Sequence, residues 1–123
     1  MIGYVTLGTN DFPRAAAFYD ELLAQLGGKR FMDSEGFVMW LAQPGKAGLC
    51  LVRPYDGQPA CVGNGSMVAL MASSREQVDV VHRKALALGG SDEGAPGLRG
   101  QSFYAAYFRD LDGNKLNIFH MGG

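Results

Sequence analysis

The chain has 123 residues, of which 47% are apolar and 19% charged, with a formal net charge of −1; this is the profile of one ordinary globular domain. With no basic excess there is no electrostatic footprint for nucleic acid, and no apolar run approaches the roughly 18 residues a membrane span requires. The opening residues MIGYVTLG lack a basic n-region and an apolar h-region, so a cytoplasmic location is expected.

In chain order, the first element predicted is a strand over YVTLG, with Tyr4, Thr6 and Gly8 on one face. Asp11 then caps a helix with Pro13 in its first turn, where a missing N–H costs nothing. Phe18, Leu22 and Leu26 recur at helical spacing, and Gly27-Gly28 stops the run. Three strands separated by glycine are expected next, at residues 29–33, 36–42 and 48–53. Arg53–Gly65 (RPYDGQPACVGNG) is polar and rich in Pro and Gly, which marks a crossing loop.

A second strand-like run begins at Met67, with Met67, Ala69 and Met71 on one face. Ser74 and Gln77 have capping-box spacing. Val78, Val81, Ala85 and Leu88 form the apolar stripe of a second helix, and Gly89-Gly90 ends it. Residues 94–101 read as a loop. Residues 102–109 and 115–121 flank Asp110-Leu111-Asp112-Gly113-Asn114, a hairpin signal with Asp-Gly at its tip. With the tip at Asp112, Tyr107 falls opposite Asn117 and Ala105 opposite Phe119. The Tyr107–Asn117 pair either faces a ligand or is satisfied internally.

The two passages share one plan. Leu7 aligns with Leu70 and Gly27 with Gly89, half a chain apart, and both helices stop at Leu-Gly-Gly. Two copies of one unit is the simplest account. The 18 glycines follow no period and so indicate many tight turns. Cys50 lies in an apolar run and Cys61 in the crossing loop; their spacing fits no zinc pattern, and two reduced thiols are expected.

Three stretches, YVTLGTNDFPRAAAFYDELLAQLG, RPYDGQPACVGNGSMVAL and DEGAPGLRGQSFYAAYFRDLDGNKLNIF, resemble the vicinal oxygen chelate superfamily of glyoxalases, bleomycin-resistance proteins and dioxygenases. The resemblance implies an α+β fold of two βαβββ modules, about residues 1–58 and 66–123, joined by a crossing loop at about 54–65. Within a single domain of residues 1–123, the mixed sheets of the two modules would curl around a cleft. It also implies a homodimer. Catalysts of that family hold a divalent metal with His on a module's first strand and a carboxylate on its last. Here those positions fall on Tyr4, Met67 and Asn117. None is a good ligand for a hard divalent ion, so no metal and no other cofactor is expected.

The spare histidines do not replace the missing ligands: His82 is expected at the solvent border of its helix, and His120 on the strand face opposite Asn117. Asp110 and Asp112 read as turn residues. No Ser/His/Asp or Cys/His arrangement is visible, and GNG at 63–65 is no phosphate loop without a following helix. The candidate ligand-binding residues are Tyr4, Thr6, Met67, Tyr107 and Asn117, followed by Trp40 and Arg53, whose planar fork suits an anionic or carboxamide group. The reading favoured is a protein that binds a small molecule in its cleft without a metal. A divergent lyase- or dioxygenase-like enzyme and a non-catalytic dimerisation module are the alternatives.

Overall fold

A computed structural model of the chain describes residues 1–122. The chain divides into two compact units, Met1–Val62 and a second beginning at Gly63, so the boundary falls inside the crossing loop.

The first unit contains β1 (Tyr4–Gly8), α1 (Phe12–Ala24), β2 (Lys29–Ser34), β3 (Phe37–Leu41) and β4 (Gly48–Val52). Its four-stranded sheet has the order β1-β4-β3-β2. The β1–β4 pair is parallel and the other pairs antiparallel. The second unit contains β5 (Val68–Met71), α2 (Arg75–Ala87), β6 (Ser91–Leu98), β7 (Phe103–Arg109) and β8 (Lys115–Met121). Its sheet order is β5-β8-β7-β6, with β5–β8 parallel. Strand for strand the second unit repeats the first, so the two βαβββ modules of an α+β fold are present.

Each helix is fixed at both ends by local chemistry. The Asp11 carboxylate accepts from the Arg14 N–H at 3.3 Å and the Ser74 hydroxyl oxygen from the Gln77 N–H at 3.1 Å; both satisfy donors the helix itself leaves open. Gln77 reaches back to the Ser73 N–H at 2.7 Å, one residue before the cap. At the other ends, Gly27 and Gly89 adopt φ of +78° and +103°, a region where a side chain is strained. The following glycines close the turn: the Gly28 N–H donates to Leu23 O at 2.7 Å and the Gly90 N–H to Ala85 O at 2.9 Å. The Leu-Gly-Gly repeat is thus one stop signal used twice.

Each helix covers one face of its own sheet. In the first unit Phe18, Tyr19, Leu22 and Leu23 of α1 are buried, as are Val38, Trp40, Leu49 and Leu51 of the sheet. In the second, Val78, Val81 and Ala85 are buried, as are Ala106, Phe108, Leu116 and Ile118. Removing each large side chain of this kind from water contributes about 1.5–3 kcal/mol, so each unit has a core of its own.

Two expectations need correction. Residues 91–98 are an eight-residue strand, β6, where a loop was expected from residue 94. Gly94, Pro96 and Gly97 break the apolar–polar alternation, but β6 is an edge strand whose pairing with β7 shifts register at Asp92/Gly94 and Gly94/Gly97. Such bulges accommodate glycine and an edge proline. His82 is not at a solvent border but buried at 6% exposure, because β6 lies over it and Asp92 accepts from its Nε2–H at 3.0 Å.

Candidate ligand-binding site

Strand alternation separates the face under each helix from the helix-free face. In the first unit Trp40 identifies the helix side. Its ring packs 5.7 Å from Tyr19, and its indole N–H donates to Asp20 Oδ1 at 2.9 Å. Arg30 completes the group with two bonds to Asp20, at 2.7 and 2.8 Å, and one to Asp33 at 2.8 Å. The Arg30 fork holds the Asp20 carboxyl below its usual range, and the indole N–H acts the same way against an opposing desolvation.

Tyr4, Thr6 and Gly8 therefore lie on the helix-free side, with Cys50 paired to Thr6 on one flank and to Met39 on the other. Tyr4 is 54% exposed and meets Phe37 edge-on at 6.5 Å. Cys50 is fully buried, and burial pushes its thiol up.

In the second unit the Tyr104 hydroxyl donates to Asp79 of α2 at 2.7 Å, which places even-numbered β7 residues on the helix side. Tyr107 and Asn117 face each other on the helix-free side, as do Ala105 and Phe119, in the register the hairpin spacing predicts. Asn117 is 1% exposed. Its amide donates to the Ala106 carbonyl at 3.0 Å and more weakly to Ile118 O at 3.4 Å, not to Tyr107. Ala69 pairs with Asn117 and Met71 with Phe119, while Met67 just precedes β5 and is 44% exposed. Around Tyr107 stand Arg99, 5.6 Å from its ring, and Lys115, at 5.5 Å.

The Glyoxalase/Bleomycin resistance protein/Dioxygenase superfamily model matches residues 1–118. The chain belongs to that superfamily. A glyoxalase/bleomycin resistance protein from Albidiferax ferrireducens T118 is 36% identical, with a TM-score of 0.90 over 99% of both chains. A lactoylglutathione lyase from Agrobacterium tumefaciens, 22% identical, superposes with a TM-score of 0.71 over 98% of this chain and 92% of its own. A family enzyme from Burkholderia phytofirmans PsJN is 20% identical, with a TM-score of 0.78 over 98% of both chains. The last two likenesses show the fold alone. No curated protein matches the chain.

The superfamily's divalent metal can be tested against the donors present. Cys50, missed in the sequence, occupies the place in its ladder that Asn117 occupies in the other: each sits on the strand parallel to its unit's first strand, opposite Thr6 and Ala69 respectively. The repeat could have revealed it, had the two last strands been aligned through their parallel partners. By that equivalence the positions to compare are Tyr4 and Cys50 in the first unit and Met67 and Asn117 in the second. A protonated thiol and a thioether in place of imidazoles and carboxylates, with only a neutral phenol and a neutral amide beside them, do not fit a hard divalent ion. Among the described residues no group of three or more His, Cys, Asp or Glu could hold a metal.

The remaining sequence candidates fall elsewhere. Trp40 is on the helix side, so the structure does not bring it to the face that carries Tyr4 and Thr6. Arg53 follows β4, with its guanidinium 5.0 Å over Phe12 and 3.9 Å from Glu35. It borders a cavity of about 380 Å³ together with Thr9, Phe12, Pro54 and Gln58. His120 lies opposite Tyr104 on the helix side, and its Nδ1–H donates to Ala72 O at 3.2 Å. The Asp110 carboxylate accepts from the Asp112 and Asn114 N–H groups and from the Asn114 amide, the role expected of a turn residue.

Proposed function

We propose that this superfamily member binds a small molecule on the helix-free side of its sheets and does so without a metal. The observation that supports the reading is the type of donor in each unit: Tyr4 and Cys50 on the first sheet, and Met67 and Asn117 at the second, occupy the strand positions to which the resemblance assigns imidazoles and carboxylates. The same positions offer aromatic, thioether and amide surface, which suits an amphiphilic organic ligand with a few polar groups. Thr6 adds to this surface on the first sheet, and Tyr107 and Phe119 add to it on the second. Arg53, over its own cavity, offers a planar donor fork to a carboxylate or carboxamide. The protein is proposed to work as a cytoplasmic homodimer, which light scattering on the purified chain checks.

Two measurements test the function. Elemental analysis of protein purified without chelators is expected to show far less than one Zn, Ni, Mn or Fe per chain. A thermal-shift screen of amphiphilic metabolites and antibiotics, run with and without EDTA, is expected to give stabilisation that EDTA leaves unchanged. Stoichiometric metal, with stabilisation abolished by EDTA, would overturn the reading and point to a divergent lyase- or dioxygenase-like enzyme.

A further inference from the structure

The helix-free side of the second sheet carries two cations that no ion pair among the described residues neutralises. Lys115 opens β8, and its ammonium lies 5.5 Å from the centre of the Tyr107 ring. Arg99 follows β6 and folds back over it, so that its guanidinium lies 5.6 Å from the same ring. Neither forms an ion pair among the described residues. The nearby Arg109, by contrast, is paired with Glu93 at 3.0 Å. The Tyr107 hydroxyl also has no hydrogen-bond partner among the described residues.

The arrangement is built, not accidental to a loose surface chain. Arg99 Nη1 donates to Gly97 O at 2.9 Å and Nη2 to Ala95 O at 2.8 Å, so the β6 backbone holds the guanidinium in place. Gly94 keeps the space open: a Cβ there would lie 3.1 Å from the Tyr107 ring and 3.2 Å from Arg99 Nη2. The glycines of β6 thus let an aromatic ring and a guanidinium share one spot on the strand. Two like charges beside one ring repel each other, and a ring quadrupole offsets that only in part. An anion accepting from the N–H groups that Arg99 does not spend on the β6 carbonyls, from the Lys115 ammonium and from the Tyr107 hydroxyl offsets that repulsion.

We infer that Arg99, Lys115 and Tyr107 form a binding site for the anionic group, phosphate or carboxylate, of the small molecule this protein binds. The inference rests on the binding reading above and adds the chemical class of the ligand's head. Asn117, adjacent to Tyr107 across the ladder, lies beside the anion towards the middle of the sheet.

The test is an amide NMR titration of the full chain with inorganic phosphate and, separately, with succinate, each against sodium chloride at matched ionic strength. Saturable shifts are expected at residues 94–99, at Tyr107 and at Lys115 with at least one of the two anions, and the tighter of the two identifies the head group. The R99Q and K115Q variants should each weaken binding about tenfold, the cost of one charge-assisted hydrogen bond, and the double variant should abolish saturation. R99K, which keeps the charge, should retain part of the affinity. The spectra themselves report that each variant is folded. Shifts that follow ionic strength alone, map elsewhere or survive in the double variant overturn the site. Stoichiometric metal would overturn the metal-free reading while leaving this titration intact, so the two failures are distinguishable.

Discussion

Gly90 and Gly27 both belong to the helix stops, but for different reasons, and substitution separates them. A Cβ at Gly90 would sit 2.7 Å from Arg109 O and 2.9 Å from Ala85 O, both backbone atoms that cannot swing away. A Cβ at Gly27 would meet nothing within 4 Å among the described residues, so only its φ of +78° opposes a side chain. Gly90→Ala should therefore cost about 2–3 kcal/mol, the overpacking range, and Gly27→Ala about 1 kcal/mol, the left-handed penalty, in urea unfolding. Equal costs would refute the distinction. Asp20 makes a second prediction at this scale. Arg30 and the Trp40 indole stabilise its carboxylate, so its folded pKa lies below the unfolded value of about 3.9. The resulting stability is fully present above that unfolded value and is lost as pH falls through the folded pKa. Asp20→Asn should lower the melting temperature at pH 7 and flatten its fall below about pH 4; an unchanged acid limb would count against the argument. The sequence made Tyr107 and Asn117 legible as partners because an Asp-Gly tip sets a hairpin register. It did not make the orientation of Trp40 legible. Phe37–Leu41 is apolar throughout, so no alternation says which face is which, and the deciding partner, Asp20, comes from a helix twenty residues earlier.

Among the elements, both helices and seven of the eight strands can be read from caps, periodicity and turns, with ends displaced by a residue or two. The eighth, β6, is held by partners and not by its own pattern. It pairs with β7 through two register shifts, and Asp92 ties it to α2 through His82. No local propensity in SDEGAPGL announces this, and the burial of His82 was illegible for the same reason. His82→Ala removes the hydrogen bond by which the α2 side chain ties to Asp92 of β6. Amides of Ser91–Leu98 should then exchange faster with solvent, while those of β1–β4 keep their protection. Uniform acceleration across both sheets would mean that His82 supports global stability and does not act as a local tie. Asp92 adds a pH signature. The Gly94 N–H, and after it His82, hold its carboxyl low, so this tie contributes above about pH 4 and is lost as pH falls through the lowered folded value.

At the scale of the whole molecule, the duplication is the feature most legible in the sequence, because the two Leu-Gly-Gly stops fall half a chain apart. The candidate site was legible only as a set of substituted positions. Tyr4, Met67 and Asn117 could be read off against the family pattern, whereas Cys50 needed strand pairing, and Arg99 and Lys115 needed the fold of β6. The two thiols have a practical consequence. Cys50 is sealed in the first sheet with its thiol pushed up, while Cys61 is exposed on the crossing loop. A thiolate, not a thiol, attacks maleimide or a disulfide reagent. The native chain should therefore react at one cysteine at neutral pH and at both only in denaturant, a count that Ellman's reagent reads directly; two fast thiols in the native state would contradict the burial. The unaltered chain thus carries a single site for a fluorescent label, in the same unit as its sole tryptophan. Energy transfer from Trp40 to a dye on Cys61 would follow movement of the crossing loop during ligand titrations without any engineered mutation.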